Sequence, residues 1–562
     1  MALNKGNFTF VLHSHLPYVR KAGRWPHGEE MIHEALAETY LPLLNALFDL
    51  KHEGIEPRLT IGITPILLEQ IADREVLEHF EAYLQEEIEV AGADIERFGR
   101  AGDQELVGLA GYYRDWYRYI LASFEERYQR NVVGAFRQLR EAGNLDILTS
   151  AATHGYLPLL ERDSTVYGQL KVGLETSWRH LGHAPHGVWL PECAYRPAFY
   201  SDHGGSHYKP GIEEFLADLN LQYFFTDTAV IEGGRRVGKA VGDVHGPYGG
   251  LPKRRLVVSE TSIDEPAQRS TLRPYYVNQT KVAVLGREAR TGLQVWSAST
   301  GYPGDPFYRE FHRKDAGSGL QYWRVTGPGV ELGAKELYQP AVATARVLEH
   351  AEHFVKVVEG VVGEYHKQHG QPGLVVSAYD TELFGHWWFE GVTWLREVLR
   401  RLANHPEIGL TTANDYLAAY PPDDVINIPE SSWGTGGNHW TWQNPETEWI
   451  WPLIHAAEAK MEQLVERCPA AEGRLRDMLN QTARELLLLT SSDWPFLVST
   501  GQASEYASGR FQQHLARFNH LAQLIEAGRV TTEGDRFLTT VADLDNPFPN
   551  IDYRVFAKQE RS

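Results

Sequence analysis

Short apolar runs alternate with helical patterns over the first three quarters of the chain. Residues 7–12 (NFTFVL) form an apolar, aromatic and β-branched run that predicts a strand. Runs of the same kind recur at 58–64, 146–151, 187–190, 223–226, 294–298, 374–379 and 408–411. Between them apolar residues fall at helical spacing, predicting helices over 29–53, 166–181, 212–219, 337–369 and from 414 onward. A charged helical tract at 66–145 reads as an insertion between two strands, and 233–250 is a loop rich in Gly and basic residues. Strands alternating with helices imply a parallel sheet, and so many repeats favour a barrel. Pro421-Pro422-Asp423-Asp424 marks a boundary. Beyond it, amphipathic patterns at 454–465, 471–491 and 509–526 predict helices. The expected architecture is α/β: a barrel domain at 1–420 carrying the insertion and the loop, then an all-helical domain at 421–562.

Composition narrows the partners. A chain of 562 residues can bury a large core. Its 54 basic and 74 acidic residues leave a net charge of -20, which argues against a polyanionic substrate, nucleic acid or an anionic membrane. The two cysteines, Cys193 and Cys468, lack the spacing of a zinc site or a disulfide framework. The N-terminus has no apolar core of a signal peptide and no run reaches membrane-spanning length, so the expectation is a cytoplasmic protein. Fifteen Trp and 27 Tyr are a heavy load, and many lie in polar, Gly-rich segments. Rings outside a core suit the apolar faces of sugars, although packing accounts for at least half of them.

Candidate chemistry sits where strands end. Glu192 follows the run Val188-Trp189-Leu190 and Pro191, in apolar company that would perturb a carboxylate. Asp380 follows the run at 374–379 in the same way. At the mouth of a β/α barrel such residues converge. His13 and His15, two apart on one strand, share a face; His154 and Trp296 also come at or beyond predicted strand ends. Two facing carboxylates suit glycoside chemistry. Asp380 could instead cap the segment that follows it. The histidines could hydrogen-bond a substrate, bind a zinc that activates water, or serve structure.

Four ordered motifs carry a resemblance: HSHLPY at 13–18, ATHGYLPLL at 152–160, WLPECAY at 189–195 and SAYDTELFGHWWFEG at 377–391. In order and spacing they resemble the signature regions of glycoside hydrolase family 57, over nearly the whole chain. The resemblance implies a distorted seven-stranded (β/α) barrel and a retaining mechanism with no metal and no cofactor. It makes Glu192 the nucleophile and Asp380 the general acid/base, with His13, His15 and His154 contacting the sugar. Within the family the chain looks most like the branching enzymes that act on α-glucans such as amylose, amylopectin and glycogen. WSASTGYPGDPFYREFH at 296–312 resembles their pattern, so Trp296 would line the cleft. WGTGGNHWTWQNPETEWIW at 433–451 resembles the start of their helical domain, with Trp433 and Trp442 as glucan-contacting residues. HGPYGG at 245–250 resembles the tip of their catalytic loop, with Tyr248 covering the intermediate. A monomer or small homo-oligomer is expected. The other readings are an amylase or 4-α-glucanotransferase of the same family and, more remotely, a metal-dependent carbohydrate deacetylase or an inactive glycan-binding protein.

Overall fold

The computed structural model describes residues 4–24, 27–201, 207–233, 269–297, 300–528 and 532–559. Among these, seven parallel strands form its centre: β1 (Gly6–Ser14), β2 (Leu59–Ile63), β3 (Leu145–Leu148), β4 (Gly187–Val188), β5 (Tyr223–Thr226), β6 (Ala283–Gly286) and β7 (Gly373–Asp380). β1 pairs with β2, and β2 with β3. Thr149, just past β3, bridges Val188 of β4; β4 then pairs with β5, and β5 with β6. The ring closes through the backbone N–H of Glu288, which donates to the Val376 carbonyl at 2.9 Å, and through β7, which runs beside β1 from Gly6↔Gly373 to His13↔Asp380. This is the expected distorted seven-stranded barrel. The distortion lies at β4, only two residues long, and at the β6–β7 seam.

Burial explains the pattern in the sequence. Every residue of β1, β2, β5, β6 and β7 is buried. Strands covered on both faces read as continuous apolar runs, not as alternation. One expectation fails here. Residues 294–298 belong to no strand: Ala289–Trp296 is a helix whose N-cap Glu288 accepts from the N–H groups of Arg290 and Thr291. A five-residue apolar run does not separate a strand from a helix end, and the true strand is the shorter β6. Trp296 therefore closes a crossover helix and does not stand at a strand end.

The stretch between β2 and β3 is helical. Arg74–Ala101 starts at Asp73, which accepts from Glu75 and Val76, and stops at Gly102 in the left-handed conformation (φ 77°). Asp103 then caps Gln104–Ala122, so the two helices fold back on each other. After the barrel come Ile450–Arg467, Gly473–Leu489, Asp493–Thr500, Ser504–Glu526 and Thr532–Leu544. Their apolar faces share a core with the barrel, in which Leu486 and Leu489 belong to one cluster with Val11, Leu148 and Trp189. Among the described residues, no helix is long and apolar enough to cross a membrane.

Candidate active site

The C-terminal ends of the strands gather the chemistry at one mouth. Glu192 sits on the turn Pro191–Cys193 directly after β4, with φ 60° and ψ 25°. Cys193 (φ 50°) and His154 (φ 58°) are also left-handed. Side chains other than Gly adopt this region at a cost of roughly 1–2 kcal/mol per residue, and such strain collects at functional sites. Asp380 is the last residue of β7 and lies level with His13 of β1. Asp380 and His13 are both buried.

The three histidines form one stack. Nε2 of His13 and Nε2 of His154 are 3.0 Å apart, and the rings of His15 and His154 lie 3.9 Å apart at 19°. The His13 ring also stacks on Trp189 at 5.0 Å. His154 Nδ1 hydrogen-bonds Ser492 Oγ at 2.8 Å and stands 3.9 Å from Glu192 Oε1. His15 hydrogen-bonds Thr64 through Nδ1 and Asp493 through Nε2, each at 3.1 Å. The stack thus spends ring nitrogens on itself and on neighbouring hydroxyl and carboxylate groups. Among the described residues the one cluster with metal-ligand spacing is Glu485, His514 and Asp545, in the helical region after the barrel.

Tyr40, Thr64, Glu382, Ser492 and Asp493 belong to this network and have no counterpart in the sequence-based set. Glu382 accepts from the Tyr40 hydroxyl and from the backbone N–H of His15. Burial first, then the charge of Asp380, pushes its carboxyl up to about 7, against the opposing effects of Tyr40 and His15. Burial opposes the charge on His15, but Asp493, Glu192 and Glu382 together raise it above its ordinary value. A carboxylate two residues after Asp380 was a visible signal for Glu382. Ser492 and Asp493 lie outside every stretch that carries the resemblance, and nothing local marks them.

Across the mouth, Asp227 after β5 and Arg287 after β6 form a partly buried ion pair at 2.7 Å. Burial pushes the nearby Cys193 thiol well above its ordinary value, so it stays protonated and is no nucleophile.

The tryptophans separate by burial. The Trp433 indole N–H donates to Glu192 Oε2 at 2.7 Å, and the Trp433 backbone N–H donates to the Glu192 carbonyl at 3.0 Å. Trp433 also meets Trp189 edge-on at 5.1 Å. Trp442 is 1% exposed and stacks on Tyr156 at 4.5 Å, so its ring offers no open face to a sugar. A Cβ on Gly434 would meet the Trp442 ring at 2.5 Å, which is why a glycine follows Trp433. On the same loop Trp440 is 51% exposed. Trp296 is partly buried against the core beneath the helix it ends. Tyr248 and residues 234–250 of the expected loop lie outside the described residues.

The model of glycosyl hydrolase family 57 matches residues 9–429, and that of the 1,4-alpha-glucan branching enzyme C-terminal region matches 453–556. A 1,4-alpha-glucan branching enzyme of Thermococcus kodakarensis is 42% identical over 548 residues, 97% of this chain and 77% of the relative. Its crystal structure superposes with a TM-score of 0.89 over 99% of this chain and 97% of that one. The family 57-type branching enzyme of Pyrococcus horikoshii is 41% identical, with a TM-score of 0.87 over 99% and 98%. AmyC of Thermotoga maritima, described as an alpha-amylase, is 29% identical, with a TM-score of 0.81 over the full length of both chains.

Proposed function

The chain belongs to glycosyl hydrolase family 57, and we propose that it is a 1,4-α-glucan branching enzyme that cuts α-1,4 links and rejoins the freed end as an α-1,6 branch. Near-full-length likeness to branching enzymes supports the product. One observation carries the chemistry: two carboxylates, Glu192 and Asp380, end strands at one barrel mouth and are spanned by His13 and His154. His13 is level with Asp380, and His154 stands 3.9 Å from Glu192.

On this reading Glu192 Oε1 attacks the anomeric carbon while the C1–O4 bond breaks and Asp380 gives its proton to the departing O4. A β-linked glucosyl-enzyme results. Asp380 then takes the proton of an acceptor 6-hydroxyl, O6 attacks C1, and the bond to Glu192 breaks. Two inversions give net retention, and a retaining pair stands about 5–5.5 Å apart. Trp433 holds the nucleophile in place through Oε2. His13, His15 and His154 contact the sugar at the reacting ring. Trp296 lines the cleft. Trp442 serves as a buried prop for the loop that carries Trp433 and the exposed Trp440. Tyr248 shields the intermediate from water. Residues 1–420 act as the catalytic unit, and 421–562 lend Trp433, Ser492 and Asp493 to it.

The test is to incubate the protein with amylose, count reducing ends, debranch, and count again. A small first rise and a large second one is the branching result. A large first rise with no second makes the protein an amylase, the activity described for AmyC.

A further inference from the structure

Away from the mouth, a cavity of about 290 Å³ opens on the flank of the barrel. Its walls come from the helix Leu41–His52 that follows β1, the inserted helix Gln104–Ala122, the long helix Pro340–His369 and the helix Gly391–Ala403. None of its lining residues is one of the mouth residues described above. Its size is at the lower end of small-molecule sites, about 300–1,000 Å³, and fits the end of a chain.

The lining is aromatic with polar groups between the rings. Trp116 and Phe389 lie 5.1 Å apart at 58°, and Tyr119, 46% exposed, stands 6.3 Å from Trp116. Glu390 is buried and accepts through Oε1 from Tyr338 and from the backbone N–H of Arg309. Its Oε2 and the indole N–H of Trp116 have no hydrogen-bond partner from another residue among the described residues. Both atoms are sealed beneath the lining, so the surface that a ligand meets is the aromatic rings themselves.

The charges select the ligand. Of the charged lining groups, Glu38 is paired with Arg309, Asp49 with Arg127 and Arg396 with Glu397, so neither an anion nor a cation meets an uncompensated countercharge. A neutral ligand with both donors and acceptors and with apolar ring faces remains: a sugar. We propose that this cavity is a second α-glucan site, which captures the end of a chain while the barrel mouth works on another part of it. Only the identity of the sugar rests on the activity proposed above. Holding one polymer at two points raises the effective concentration of the rest of it at the mouth.

Native gels cast with and without amylopectin test this on the full-length protein. Tyr119→Ala and Trp116→Ala are expected to weaken retardation at least fivefold. Thr344→Trp, which fills the cavity from an exposed position on the long helix, is expected to do the same. The cleft is identical in all three, so turnover at saturating amylose should stay within twofold of wild type. Retardation equal to wild type in both Tyr119→Ala and Thr344→Trp overturns the proposal, and both positions are exposed enough to leave the fold intact. Failure of the activity reading is separate: the wild type would then form no branches, while its retardation would still depend on the cavity.

Discussion

The indole N–H of Trp433 donates a 2.7 Å hydrogen bond to Oε2 of Glu192, joining the turn after β4 to a loop 241 residues further on. A hydrogen bond to a charged group contributes about 1.5–3 kcal/mol. Trp433→Phe keeps the aromatic packing on Trp189 and removes only the donor. It is expected to lower kcat about tenfold to a hundredfold with a smaller change in KM. Steady-state kinetics on amylose read the split, and an unchanged kcat removes Trp433 as the residue that holds the nucleophile.

Glu192→Gln is expected to lose at least about a thousandfold in both branching and hydrolysis, as deletion of a nucleophile does elsewhere. Asp380→Ala should still form the glucosyl-enzyme from a donor with a good leaving group, which needs no proton. Azide should then restore turnover by attacking C1 and giving an α-glucosyl azide. Mass spectrometry and the anomeric coupling in the product check both steps; a β-product from Asp380→Ala would exchange the two roles.

Tyr248→Ala should raise hydrolysis relative to branching severalfold, because the intermediate loses its cover against water. Trp440→Ala should raise KM for amylopectin with kcat nearly constant, since an exposed ring on the loop beside Trp433 can serve only binding. The ratio of reducing ends before and after debranching reads the first, and substrate-saturation curves read the second.

Burial of Glu382 gives the stability a definite pH dependence. Its folded value of about 7 lies above the ordinary 4.5, so its neutral form stabilises the fold fully below about 4.5. That contribution falls as pH rises through 7. One unit is 1.36 kcal/mol, so the loss is on the order of 2 kcal/mol after allowance for relaxation. Glu382→Gln preserves an acceptor for Tyr40 and for the His15 N–H and does not ionise. Its Tm should therefore drop less between pH 5 and pH 8 than that of the wild type. Parallel melting curves for the two proteins count against the buried neutral carboxyl.

His15 gives the complementary case. Its folded value is raised against burial chiefly by Asp493, so its stabilising charge is present below about 6.5 and is lost as pH rises through the folded value. Asp493→Asn should cost more stability at pH 5.5 than at pH 9. An equal cost at both pH values, measured by urea unfolding, would show that Asp493 does not hold the imidazolium.

Much of the barrel was legible because its strands are buried on both faces. Phe8, Phe10, Ile61, Val375 and Val376 all read as core, and they are core. The run at 294–298 misled because a short apolar segment carries no period long enough to tell helix from strand, and the cap at Glu288 is visible only once the helix start is known. Trp442 and Trp440, two residues apart in one Gly-rich loop, could not be ranked by sequence. Which ring is enclosed depends on Tyr156, nearly three hundred residues away.

Residue order alone determined the family, the barrel, and the candidate carboxylates Glu192 and Asp380, because strand ends and local motifs are short-range features. The tertiary structure alone decided what surrounds them. Asp493 comes to His15 and Ser492 to His154 because the helices after the barrel bury Leu486 and Leu489 against the core, and Trp433 comes to Glu192 because the backbones of Tyr195 and Ser431 pair. Hydrophobic burial is non-directional: apolar spacing marks which face of an element is covered, not which distant element covers it. The partners it brings together over hundreds of residues can be read only from the fold.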